Sequence, residues 1–136
     1  MVTELLDDCE ELTRKLGCDP KTVIFGGRSM GGRICSMAAA EGMPAAGLLL
    51  LSYPLHPPTN PEKLRVEHFA NIESPTLFVS GNNDPFGSPQ EFKQQTSSIK
   101  GKVTTKFLDG GRHDPSSRAH IASIVDVASA WVSTLS

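Results

Sequence analysis

Gly27-Arg28-Ser29-Met30-Gly31 falls at the seam between an apolar run, Val23-Ile24-Phe25, and a helical pattern that follows Gly32 from Arg33 to Glu41. A Gly-x-Ser-x-Gly pentapeptide between a strand and a helix is the pattern of a nucleophile elbow. The serine is held on a sharp, strained turn and its hydroxyl stands clear of the sheet. Side chains two residues before and two after it would collide with the neighbouring strand or helix, so glycine is the natural occupant. The pentapeptide alone is weak evidence, and its strand–turn–helix context strengthens it.

The rest of the chain continues the alternation. Thr3 to Leu16 carries Leu5, Cys9, Leu12 and Leu16 at helical spacing, and Gly17 ends it. Lys21 to Phe25 predicts a short β-branched strand. Arg33 to Glu41 predicts an alanine-rich helix closed by Gly42. Gly47 to Ser52 holds four consecutive leucines, the signature of a strand buried on both faces in a parallel sheet. Thr76 to Ser80 and Lys102 to Leu108 predict two further strands. Ser88-Pro89-Gln90-Glu91 between them is a capping box with proline at the first helical position. A last helix is expected from about Asp114-Pro115 to Leu135, with Ile121, Ile124, Val125, Ala128, Trp131, Val132 and Leu135 as its apolar stripe. Tyr53 to Ser74 is a proline-rich excursion with one helix expected from Asn60 and Pro61. The fold class expected is therefore α/β: three α/β/α layers around a short, mainly parallel sheet of about four strands, with helices on both faces. Residues 1–136 read as one domain with no linker, repeat or low-complexity tract.

A serine nucleophile needs a base, and the base needs an orienting acid. In parallel α/β sheets such groups come from loops at the carboxyl ends of strands. Past Ser80 lies Gly81-Asn82-Asn83-Asp84-Pro85-Phe86-Gly87, and past Leu108 lies Asp109-Gly110-Gly111-Arg112-His113-Asp114. Ser29, Asp84 and His113 are thus expected on one sheet edge, in that chain order. Asp109 is the rival acid, just four residues before His113 on the same strand end. Asp114 is expected to cap the last helix. His56 and His68 are expected to be solvated loop residues, and His120 a surface or packing residue. Arg28 and Arg33 flank the elbow, where an ion-pair role is favoured over binding a substrate carboxylate.

Composition narrows the function. A net charge of −2 leaves no basic footprint for nucleic acid. The apolar run from Ala45 to Leu51 is far too short to span a membrane. The first residues show no basic segment followed by an apolar one, so a cytoplasmic location is expected. Cys9, Cys18 and Cys35 lack metal-like spacing and read as reduced thiols, with a Cys9–Cys18 bridge as the less favoured alternative.

Three segments carry a resemblance: Gly27-Arg28-Ser29-Met30-Gly31-Gly32, Phe78-Val79-Ser80-Gly81-Asn82-Asn83-Asp84-Pro85, and Gly110-Gly111-Arg112-His113. Together they resemble the α/β-hydrolase superfamily over essentially the whole chain. Leu51-Ser52-Tyr53-Pro54-Leu55-His56 is similar to a bacterial branch of hydrolases related to dienelactone hydrolases. The resemblance implies a nucleophile at Ser29, an acid at Asp84, a base at His113 and an oxyanion donor at Met30 N–H. It also implies an absence. A full member has several strands before the elbow strand, and this chain has only a helix, so the loop that supplies the second oxyanion donor is missing. The elbow strand, expected at Lys21 to Phe25, becomes an edge, through which two copies are expected to pair as a homodimer.

The function expected is a serine hydrolase of small or short-chain carboxylic esters acting through an acyl-enzyme, without metal or organic cofactor. Arg28, Tyr53, Pro54 and Phe86 are candidate pocket walls, and the 22-residue excursion 53–74 stands where a cap would. The alternatives are a non-catalytic interaction protein on the same fold, a thioesterase or peptidase on the same three residues, and a flavodoxin-like binding domain.

Overall fold

In the computed structural model, which describes residues 1–135, four helices and four strands follow one another as α1 (Val2–Leu16), β1 (Ile24–Arg28), α2 (Met30–Ala40), β2 (Gly47–Leu51), β3 (Thr76–Gly81), α3 (Pro89–Gln95), β4 (Val103–Leu108) and α4 (Arg118–Ser133). The sheet is all parallel in the order β1-β2-β3-β4. Ile24 pairs with Gly47, Leu48 with Thr76, and Thr76 with Val103.

This register sorts side chains between two cores by simple alternation. Leu48, Leu50 and Phe78 face α1, α2 and α3 and pack with Cys9, Cys35, Ala38 and Phe92. Leu49, Leu51, Leu77, Val79 and Leu108 face the other way, onto Trp131, Ile124 and Val127 of α4. Because the strands are laid down in sequence order, right-handed crossovers put every connection between them on one face. The opposite face is left to α4 alone. Gly47 lets that helix come close, since a Cβ there would stand 2.7 Å from the Trp131 ring.

Several boundaries differ from the sequence reading. The first strand is Ile24–Arg28 rather than Lys21 to Phe25, because the Asp19 side chain accepts from Lys21 N–H (2.9 Å) and, with Pro20, caps a 3-10 turn over Pro20–Thr22. The strand then runs through Gly26 and Gly27 straight to the elbow. At Gly26 a Cβ would lie 2.6 Å from the Leu49 carbonyl oxygen. The last helix starts at Arg118, not near Asp114. Its N-cap is Ser117, whose hydroxyl accepts from His120 N–H at 3.1 Å.

No helix forms at Asn60. The excursion folds as turns with a 3-10 turn at Phe69–Asn71, and it buries Tyr53, Leu55, Phe69 and Ile72 completely. It is part of the core between α2 and α3 rather than a lid. All three cysteines are free thiols; Cys9 and Cys35 are buried, and Cys18 is half-buried. Burial, with Cys9 nearby, pushes the Cys35 thiol up to about 11, so it stays protonated and inert. Among the described residues no helix is long and apolar enough to cross a membrane.

Candidate active site

Ser29 links β1 to α2 with φ 53° and ψ −122°, a conformation that L-residues rarely adopt. Two features impose it. Ser29 N–H donates to the Leu51 carbonyl across the sheet at 2.8 Å. The chain must also double back tightly enough that a Cβ on Gly27 would sit 2.5 Å from the Gly31 carbonyl carbon. The crowding expected at Gly31 is absent, since a Cβ there meets nothing within 4 Å. Gly32 carries it instead, at 2.8 Å from the Gly27 oxygen.

The three residues expected at the sheet edge come together. His113 Nδ1–H donates to Asp84, 2.9 Å from Oδ2 and 3.1 Å from Oδ1. That leaves Nε2 as the acceptor for the Ser29 hydroxyl, 2.8 Å away. The Asp84 side chain is fully buried, and Oδ1 also accepts from Phe86 N–H at 2.9 Å. The two loops meet because Gly81 and Gly111 nearly touch; a Cβ on Gly81 would lie 2.1 Å from the Gly111 oxygen. Asn82 fastens the junction. Its amide donates to Asp109 (3.1 Å) and its oxygen accepts from Gly110 N–H (2.9 Å). Asp109, the rival acid, is thereby engaged elsewhere.

The other expected residues divide. Met30 opens α2, so its N–H has no acceptor within the helix and is free to face a ligand beside Ser29. Phe86 lies over the His113 imidazole with ring centroids 4.1 Å apart and fixes its plane. Arg28 is ion-paired with Asp114 at 3.0 Å, which also accounts for Asp114 not capping α4. Tyr53 is fully buried in an aromatic cluster with Phe69 and Phe78, and Pro54 is buried too, so neither is a wall of an open pocket.

The histidines expected to be solvated are not. His56 is buried, with Nε2 2.8 Å from Glu91 Oε2 and Nδ1 2.8 Å from the Pro57 carbonyl. His68 lies 2.7 Å from the Ser36 hydroxyl. Ser36 gives its own proton to the Arg33 carbonyl (2.7 Å), so His68 Nε2 is the donor in this pair. Burial, helped by the Arg33 charge, brings His68 down to about 4. Ser36 and His68 are 32 residues apart, and nothing local in the sequence announces their pairing. His120 holds the Asp109 carbonyl at 2.8 Å.

A family model described as an alpha/beta hydrolase domain matches residues 1–130. Among solved structures, DcsB in complex with a substrate analogue is similar with a TM-score of 0.80 at 12% identity, over 99% of this chain and 72% of that one. A monoacylglycerol lipase from Paleococcus ferrophilus gives 0.75 at 14%, over 99% and 76%. A carboxylesterase from Bacillus cereus gives 0.71 at 16%, over 99% and 60%. The chain thus spans three fifths of the carboxylesterase's length and about three quarters of the lipase's. At these identities the likeness concerns the fold. With the family match running over nearly its whole length, the chain belongs to the α/β-hydrolase family.

Proposed function

We propose that this chain is a serine hydrolase cleaving small or short-chain carboxylic esters. The observation that carries the reading is the unbroken hydrogen-bonded line from the Ser29 hydroxyl through both nitrogens of His113 to the buried Asp84 carboxylate. Ser29 Oγ attacks the ester carbonyl as His113 Nε2 takes its proton. Asp84 holds the imidazole in the Nδ1–H tautomer and stabilises the imidazolium. Met30 N–H donates to the oxyanion. His113 returns the proton to the leaving alcohol, then activates water to release the acyl group from Ser29.

A fluorophosphonate probe should label the protein stoichiometrically, and Ser29→Ala should abolish both labelling and hydrolysis of p-nitrophenyl acetate or butyrate. Rates on acyl thioesters and peptide amides rank the thioesterase and peptidase alternatives. A folded protein that neither labels nor turns over belongs instead to the non-catalytic alternative.

A further inference from the structure

One turn along α2 from Ser29, a recess of about 440 Å³ opens between the helix and the excursion. It is lined by Arg33, Met37, Lys63, Arg65, Glu67 and His68 among others. Three of these are cations and one is an anion. None of the three cations forms an ion pair among the described residues, although three other basic groups (the N-terminal amine, Lys15 and Arg28) do so elsewhere on the chain. Arg33 Nε is buried without a hydrogen-bond acceptor. A buried guanidinium N–H left unpaired is costly and calls for an acceptor. His68 Nε2 cannot serve, because its proton is already given to Ser36.

Position gives the recess a meaning. Arg33 N–H donates to the Ser29 carbonyl at 3.1 Å, so the two residues are i and i+4 on one side of the helix start, with Met37 the next in line. Four residues of helix rise about 6 Å. On this spacing we infer that an anionic group seated against Arg33 and Arg65 belongs to a molecule whose other end reaches the Ser29 hydroxyl. Guanidinium groups match the planar fork of a carboxylate.

We propose that this recess binds a carboxylate, so that the preferred substrate is an ester bearing a free carboxylate a few bonds from the scissile carbonyl, as in a hemiester of a short dicarboxylic acid. This rests on the serine-hydrolase reading for its catalytic consequence, but not for the binding itself. Two measurements separate them. First, mono-p-nitrophenyl glutarate is compared with neutral p-nitrophenyl valerate. The ratio of their kcat/KM values should favour the anionic ester by about tenfold or more, and fall towards one in Arg65→Gln and in about 0.5 M salt. Second, calorimetric titration of glutarate into Ser29→Ala should show saturable binding that Arg65→Gln removes, with inorganic phosphate as a parallel titrant. Binding without turnover of either ester would keep the carboxylate site and overturn the hydrolase reading. Hydrolysis with no preference for the anionic ester, or no glutarate binding by a folded protein, would overturn the site. Phosphate binding more tightly than glutarate would overturn the carboxylate assignment.

Discussion

Gly27 and Gly31 bracket the same serine, yet only one is forced to be glycine. A methyl group at Gly27 would penetrate the backbone of the first helical turn, whereas at Gly31 it would enter open space. Gly27→Ala should therefore cost about 2–3 kcal/mol in urea unfolding, and displace Ser29 enough to remove labelling by the probe. Gly31→Ala, in the first turn of α2, should leave stability unchanged or raise it by about 0.5–1 kcal/mol. His68 makes a second prediction at this scale. Its ring titrates near 6.5 in the unfolded chain and at about 4 in the folded one, lowered by burial and by Arg33. Between those values the unfolded state binds a proton that the folded state does not, so stability rises with pH across the window and is fully present above it. Because the ring is half-buried, water screens part of this effect, and on the order of 2 kcal/mol should be lost between pH 6.5 and 4. His68→Gln should flatten that part of the profile in thermal unfolding, and an unchanged profile would place the lability elsewhere.

Elements differ in how much of them their own residues dictate. The four-leucine run of β2, the Ser88-Pro89-Gln90-Glu91 capping box of α3 and the apolar periodicity of α1 are local signals, and each yields its element close to where the sequence puts it. The convergence of Ser29, Asp84 and His113 on one edge was legible for a related reason. Each stands just past a strand, and a parallel sheet collects such positions on one edge whatever the rest of the chain does. Competition between local signals explains the misplaced boundaries. Asp114-Pro115 and Ser117 both resemble helix starts, and the choice falls to Ser117 because Arg28, distant in sequence, engages Asp114. A cap of this kind contributes about 1 kcal/mol, enough to settle where a helix begins when two starts compete. The excursion was least legible. Its turns have no period, and its burial of Tyr53, Phe69 and His68 depends on a gap between α2 and α3 that only the assembled sheet creates.

At the scale of the whole sheet, one edge is open among the described residues. Among the described residues β1 pairs only with β2, so its outer backbone groups have no strand partner. α4 starts at the carboxyl end of β4, where His120 meets Asp109, and ends with Trp131 over Gly47 at the start of β2, so it runs against the strands. Ile124, Val127 and Trp131 face the sheet. Given right-handed crossovers, the helix face about 90° on from them turns towards β1. That face carries Ile121, Val125 and Val132, which are 51%, 57% and 45% exposed. An unpaired strand and an apolar helix flank therefore open on the same side. We propose that a second copy occupies it, with β1 antiparallel to its mate about a two-fold axis at Gly26. Such an axis keeps both α4 helices on one face of a continuous eight-stranded sheet, and turns their apolar flanks towards each other across the joint. In this pairing Ile24 stands opposite the partner's Arg28, so Ile24→Lys sets two positive charges across the seam. Sedimentation equilibrium at micromolar concentration should give the mass of two chains for the unaltered protein and of one for Ile24→Lys, with circular dichroism unchanged. A strict monomer under those conditions overturns the pairing. A dimer unaffected by Ile24→Lys would move the contact from the strand edge to another surface.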